Sequence, residues 1–145
     1  MNKVCCVLTN RASYTKLKPI LILLKQDKKV NLQIVLASGV MSEKYGNLNE
    51  ILRKDGFKIS DTIHMLLESQ TLLTNAKSTG IGVSEFSSCF ERIRPSLVIL
   101  MADRFEVLSA AIAASYQNIK IAHVQGGEIT GNIDQKVRYA ISFLS

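Results

Sequence analysis

Residues 96–128, SLVILMADRFEVLSAAIAASYQNIKIAHVQGGE, hold two short apolar runs on either side of a segment of small residues. Leu97 to Met101 runs into Asp103, and Lys120 to Val124 leads through Gln125, Gly126 and Gly127 to Glu128. Apolar runs bounded by turn signals read as buried strands, and the segment between them as a helix. Strand, crossover helix, strand is the unit of a parallel sheet, because parallel neighbours cannot be joined by a tight turn. Ligands of open parallel sheets bind beyond the carboxyl ends of the strands, where both carboxylates fall.

The rest of the chain repeats the alternation. Val4 to Thr9 is a β-branched apolar run that predicts a first strand, ending at Asn10-Arg11. Leu17, Ile20, Leu21 and Leu24 then fall on one helical face, with Pro19 either in the helix's first turn or kinking it. Leu32 to Ala37 predicts a second strand, and Tyr45, Leu48, Ile51 and Leu52 an amphipathic helix stopping at Asp55-Gly56. Thr62 to Met65 allows a short strand. Ala76, Gly80, Val83, Phe86, Phe90 and Ile93 recur at helical spacing up to Pro95 and predict one long helix. Gly80-Ile81-Gly82 lies within that helix, follows no strand and has Glu85 where a third glycine belongs, so it is no dinucleotide fingerprint. Ile133 to Ser145 keeps helical spacing at Val137, Ala140, Ile141 and Leu144 with no stop signal, the pattern of a chain cut before its domain closes. The expectation is an α/β, Rossmann-like three-layer fold with a mostly parallel sheet, as one domain over 1–145 with no linker.

Composition narrows the function classes. Apolar residues make up 47% and charged ones 21%, a globular balance, with no run near the roughly 18 apolar residues of a membrane span. The N-terminus lacks the long apolar stretch and small-residue cleavage pattern of a signal peptide, which predicts a cytoplasmic location. Cys5, Cys6 and Cys89 make no metal or disulfide spacing and are expected in the core. The net charge of +6 comes from scattered lysines rather than a basic cluster interleaved with aromatics, so nucleic acid is not the expected partner.

Four polar groups follow predicted strands or open a helix: Arg11, Asp103, the His123 to Glu128 stretch, and Asp134. In a parallel sheet these loops share one edge, so distant residues can converge on one pocket. Each also has a purely structural role open to it. Asp103 with Glu106 three residues on makes a capping box, Asp134 can cap the last helix, Arg11 can be a surface cation and His123 a hydrogen-bonded core residue. Glu128 stands apart, because Gly126 and Gly127 would let backbone N–H groups approach a ligand beside it. The spacing is neither a Rossmann fingerprint nor a P-loop, which disfavours nicotinamide and ATP. A carboxylate near other carboxylates suits proton transfer, since crowding and burial separate their proton affinities.

The segment DRFEVLSAAIAASYQNIKIAHVQGGEITGNID, with Arg138 and Ala140-Ile141 after it, resembles the hydrolysing UDP-N-acetylglucosamine 2-epimerases of sialic and legionaminic acid synthesis. NRASY, SGVMSEKYGN and AKSTGIG resemble other stretches of that family, so the similarity covers the whole chain. It implies the N-terminal half of a two-domain fold of the glycosyltransferase B type, with the C-terminal nucleotide-binding domain lying outside this chain. It implies a UDP-sugar substrate, either UDP-N-acetylglucosamine or a diacetamido analogue, converted to UDP and the free 2-epimeric sugar without a cofactor or metal. By position, Asp103, Glu128 and Asp134 match the acid/base residues and Arg11 the arginine near the phosphates. Gly126 and Gly127 line the substrate side, and Arg138 anchors the Glu128 and Asp134 loops beside it. Ala102, Gln135 and Tyr139 depart from the usual glycine, glutamate and histidine. The resemblance also leaves open a non-hydrolysing epimerase, a non-catalytic sugar-nucleotide-binding fragment, and a homo-oligomer in a longer form. It implies little or no turnover by the 145 residues alone.

Overall fold

Residues 1–41 and 47–145 are described by the computed structural model. Five parallel strands form one sheet: β1 (Asn2–Leu8), β2 (Val30–Ala37), β3 (Asp61–Ile63), β4 (Leu97–Met101) and β5 (Lys120–Val124), in the order β3-β2-β1-β4-β5. Among the described residues, five α-helices connect or follow them, α1 (Arg11–Gln26), α2 (Leu48–Lys54), α3 (Leu72–Ile93), α4 (Phe105–Tyr116) and α5 (Ile133–Leu144), with a short 3-10 helix over Ser38–Met41. This is the expected Rossmann-like α/β fold, with its order reversing between β1 and β4. Residues 42–46 of SGVMSEKYGN, Tyr45 among them, lie outside the described residues.

The strands read as nearly unbroken apolar runs because both sheet faces are covered. Cys5, Val7, Val35 and Leu100 pack with Phe86 and Phe90 of α3 and the alanines of α4. Val4, Cys6, Leu8, Ile34 and Leu36 pack on the other face with Tyr14, Leu17 and Leu21 of α1 and with Leu48 and Leu52 of α2. The cysteines are buried in these two layers, as their setting in apolar sequence predicts.

Local chemistry corrects some boundaries. The first strand starts at Asn2 and ends at Leu8, two residues before the Asn10 side chain accepts from Ser13 N at 2.7 Å and caps α1 at Arg11. Pro19 sits deep inside α1 rather than in its first turn. It lies on the exposed face, where the carbonyl it leaves unpartnered can turn to water. α3 runs unbroken through both glycines. The space a Cβ would need at Gly82 is taken by Ser109 Oγ and Cβ of α4, at 2.7 and 2.8 Å, so that glycine permits close helix packing. Among the described residues, no helix is long and apolar enough to cross a membrane, and no cluster of three metal-ligating side chains occurs.

Candidate active site

The carboxyl edge of the sheet gathers Arg11 after β1, Ser38 after β2, Asp103 after β4 and Glu128 after β5. Three of the strands leave the sheet through a non-glycine residue in the left-handed region: Ser38 at φ 70°, Ala102 at 70° and Gln125 at 62°. Each such residue costs on the order of 1 kcal/mol or more, and strain of this kind concentrates where loops are held for function. Ala102 therefore stands where a glycine would be unstrained, as its departure from the family pattern suggests.

Asp103 is not a helix cap. The N-cap of α4 is Arg104, which makes no side-chain cap bond, and the Asp103 carboxylate instead pairs with the Arg138 guanidinium. Arg138 projects from the second turn of α5, is 2% exposed, and donates from its other terminal nitrogen to the Glu128 carbonyl. One buried guanidinium thus ties the loops that carry Asp103 and Glu128. Its planar fork suits a two-point clamp of this kind. The nearest charged partner of Asp103 is a cation, so the crowding of carboxylates expected from sequence is relieved by an intervening arginine. Asp134 is not a cap either. Asn132 caps α5 by accepting from Asp134 N at 3.1 Å, and Asp134 lies in the helix's first turn, where an anion meets the positive end of the dipole.

Glu128 is exposed at the rim, with Oε1 accepting from Gln125 Nε2 at 3.2 Å; Gln125 Oε1 accepts from Lys16 of α1, also at 3.2 Å. The two glycines before Glu128 differ. A Cβ at Gly127 would meet nothing within 4 Å, whereas one at Gly126 would meet Ser142 Oγ at 2.5 Å and His123 Nδ1 at 2.8 Å. Gly126 is thus demanded by the protein's own side chains, and Gly127 faces open space. Gln135 holds the intervening turn, its Oε1 accepting from Thr130 N and Gly131 N at 3.0 and 2.5 Å, and its amide donates to Tyr139 at 2.8 Å. Both departures from the family pattern are in this way absorbed into one local network.

At the crevice between β1 and β4, a cavity of about 240 Å³ is lined by Thr9, Asn10, Arg11, Ser38, Arg104 and Glu106 among others. Sequence reasoning missed the last two and Ser38. Glu106 is 1% exposed and accepts from Ser38 Oγ at 2.6 Å and from Arg104 Nε at 3.2 Å. Its place three residues after Asp103 suggested a capping box, which concealed the sharper signal of an acid beginning a helix whose other residues are small and apolar. The cavity offers two arginines, a fixed carboxylate and short polar groups, suited to an anionic, hydroxyl-rich ligand.

The sheet order and the crevice define the Rossmann-like half of a glycosyltransferase-B-type fold. Residues 23–145 match the family of UDP-N-acetylglucosamine 2-epimerases, and the chain belongs to that family. It is 35% identical over 145 residues to the UDP-N,N'-diacetylbacillosamine 2-epimerase (hydrolyzing) of Legionella pneumophila, covering 100% of this chain and 38% of the relative. It is 33% identical over 144 residues to the GDP/UDP-N,N'-diacetylbacillosamine 2-epimerase (hydrolyzing) of Campylobacter jejuni, covering 99% of this chain and 37% of the relative. The crystal structure of the UDP-GlcNAc 2-epimerase from Neisseria meningitidis bound to UDP-GlcNAc superposes with a TM-score of 0.84 at 22% identity, covering 99% of this chain and 38% of that one. The chain therefore spans less than two fifths of the length of the relatives it matches.

Proposed function

We propose that this chain is the acid-bearing half of a hydrolysing UDP-sugar 2-epimerase, whose partner half supplies most of the nucleotide contacts. The observation that carries the reading is the clamp at the sheet's carboxyl edge, in which Arg138 holds Asp103 and the Glu128 loop together. In the reaction a carboxylate takes the proton from sugar C2, the C1–O bond to UDP breaks with its electron pair leaving on the diphosphate, and a C1–C2 double bond forms. Water then adds across that bond, a proton to the opposite face of C2 and hydroxide to C1, releasing the free epimeric sugar. Asp103, Glu128 and Asp134 are the groups for these proton transfers, each able to hold or release a proton as general acid or base. Arg11 lines the cavity with Arg104 and Glu106 and suits the departing diphosphate, whose growing charge a guanidinium stabilises. Gly127 leaves its backbone open toward the substrate, and Arg138, already paired, acts by holding the loops.

The hydrolysing outcome is supported by the two relatives that share about a third of this sequence, and their names lend weight to a diacetamido sugar over N-acetylglucosamine. The test is a chimera in which this chain replaces the matching segment of the Legionella relative. Given either UDP-sugar, it should release UDP and free 2-epimeric sugar in equal amounts, faster from the diacetamido substrate. A UDP-linked epimer as sole product would select a non-hydrolysing epimerase. Tight binding of the UDP-sugar with no product would select a non-catalytic binding protein.

A further inference from the structure

We infer that His123 is the positioning residue of the Asp103–Arg138 clamp, acting through a fixed Nε2–H tautomer that sets the Asp103 peptide. The inference begins at Ala102, whose backbone sits in the left-handed region at φ 70° and must be held there by its bonds. Its N–H donates to the Val124 carbonyl at 3.0 Å, and its carbonyl lies 2.7 Å from His123 Nε2. A carbonyl can only accept, so the proton of that bond belongs to Nε2. The carbonyl is half of the peptide unit that enters Asp103, so the imidazole sets the plane from which the Asp103 side chain departs toward Arg138.

The other ring nitrogen is held as firmly. Nδ1 lies 2.7 Å from Ser142 Oγ, whose hydroxyl can donate to it and keep the proton on Nε2. Ser142 stands one helical turn after Arg138 on α5, so it meets the imidazole from the helix that carries the clamp. Gly126 closes the remaining side, packed so near Nδ1 and Ser142 Oγ that a Cβ has no room. Three parts of the site therefore meet on one ring: the residue before Asp103, the loop two residues before Glu128, and the helix bearing Arg138. A core histidine that only filled space would require none of these directed contacts.

The functional weight of this assignment rests on the epimerase reading, but its geometry is measurable without turnover. In the 15N-labelled 145-residue chain, with His64→Gln leaving a single histidine, long-range ring correlations should show the proton on Nε2 and an acceptor at Nδ1. A proton on Nδ1, or rapid exchange between tautomers, would overturn the assignment. Replacement then separates positioning from packing. Burial and two bonds should make the Arg138 guanidinium protons of the wild-type chain exchange slowly, and His123→Gln, which can place an amide donor near the Nε2 position, should retain that slow exchange. His123→Asn reaches only the Nδ1 position and should speed their exchange about tenfold, the loss of roughly one hydrogen bond's net contribution. Equal behaviour of the two variants contradicts the inference. Ser142→Ala, which leaves the Nε2–H bond to the Ala102 carbonyl in place, should keep the proton on Nε2 but shift the Nδ1 resonance to that of an unbonded acceptor even if His123→Asn fails to fold, and loss of the Nε2–H tautomer or an unmoved Nδ1 signal there would also contradict the inference. In the active chimera, His123→Asn should lower kcat about tenfold or more with KM unchanged, since small displacements of a catalytic group act on the chemical step. An active chimera indifferent to the change would refute the positioning role, whereas an inactive chimera with the ring signature intact would refute only the epimerase reading.

Discussion

Ala102 shows how much of the site is decided by single residues. At φ 70° its Cβ strains the backbone, and the hydrogen bonds from β5 hold it there. Ala102→Gly should raise stability by about 1 kcal/mol, read as a higher melting temperature, because relief of the left-handed penalty outweighs the added freedom of glycine in the unfolded chain. A lower melting temperature would mean that the methyl makes contacts worth more than the strain. Glu128 presents the opposite case, a rim side chain whose loss costs the fold little. Glu128→Gln should leave thermal unfolding within about 0.5 kcal/mol of wild type, as exposed substitutions do, while abolishing turnover in the chimera. Activity without this carboxylate would remove it from the chemistry. These residues were legible to different degrees. Asp103 and Glu128 stood out because each follows an apolar run, whereas Glu106 was hidden by a capping pattern that the fold does not use. The Asp103 to Arg138 pairing joins residues 35 positions apart, and no spacing rule connects them.

At the scale of elements, α3 was legible from its apolar period even through two glycines, but the reason for those glycines was not. Gly80 is exposed and a Cβ there would meet nothing within 4 Å, while Gly82 is pressed against Ser109. Gly80→Ala should therefore stabilise by about 1 kcal/mol through helix propensity, and Gly82→Ala should destabilise by about 2 kcal/mol by forcing α3 from α4. Denaturant midpoints of the two variants moving the same way would refute this packing. The join between α1 and the end of α2 has its own signature in pH. The Tyr14 hydroxyl donates to Asp55, which Lys18 also holds at 2.8 Å. Lys18 first and Tyr14 second hold the Asp55 carboxyl below its ordinary range, and burial first, with Asp55 after it, pushes the Tyr14 phenol well above its ordinary value. The depressed carboxyl adds stability that is present above its unfolded value near 4 and is lost as pH falls through the folded one. The raised phenol adds stability that is present below its unfolded value near 10 and is lost as pH rises beyond it. Tyr14→Phe should thus flatten the alkaline arm of the stability profile and shallow the acid one. Parallel profiles for the two proteins would show that the contact is not formed.

At the scale of the whole molecule, the alternation of strands and helices made the layered fold legible, and the strand order reverses between β1 and β4, beside the cavity. The crevice could not be built from sequence, because its walls combine the loops after β1 and β2 with the start of α4, segments far apart in the chain that only the sheet order brings together. The chain covers under two fifths of its relatives' length. The central claim is that these carboxylates move the proton at sugar C2. In deuterated water, with the chimera acting on a UDP-sugar, the account predicts one deuterium at C2 of the released epimeric sugar. A released sugar that keeps its original hydrogen at C2 would contradict it.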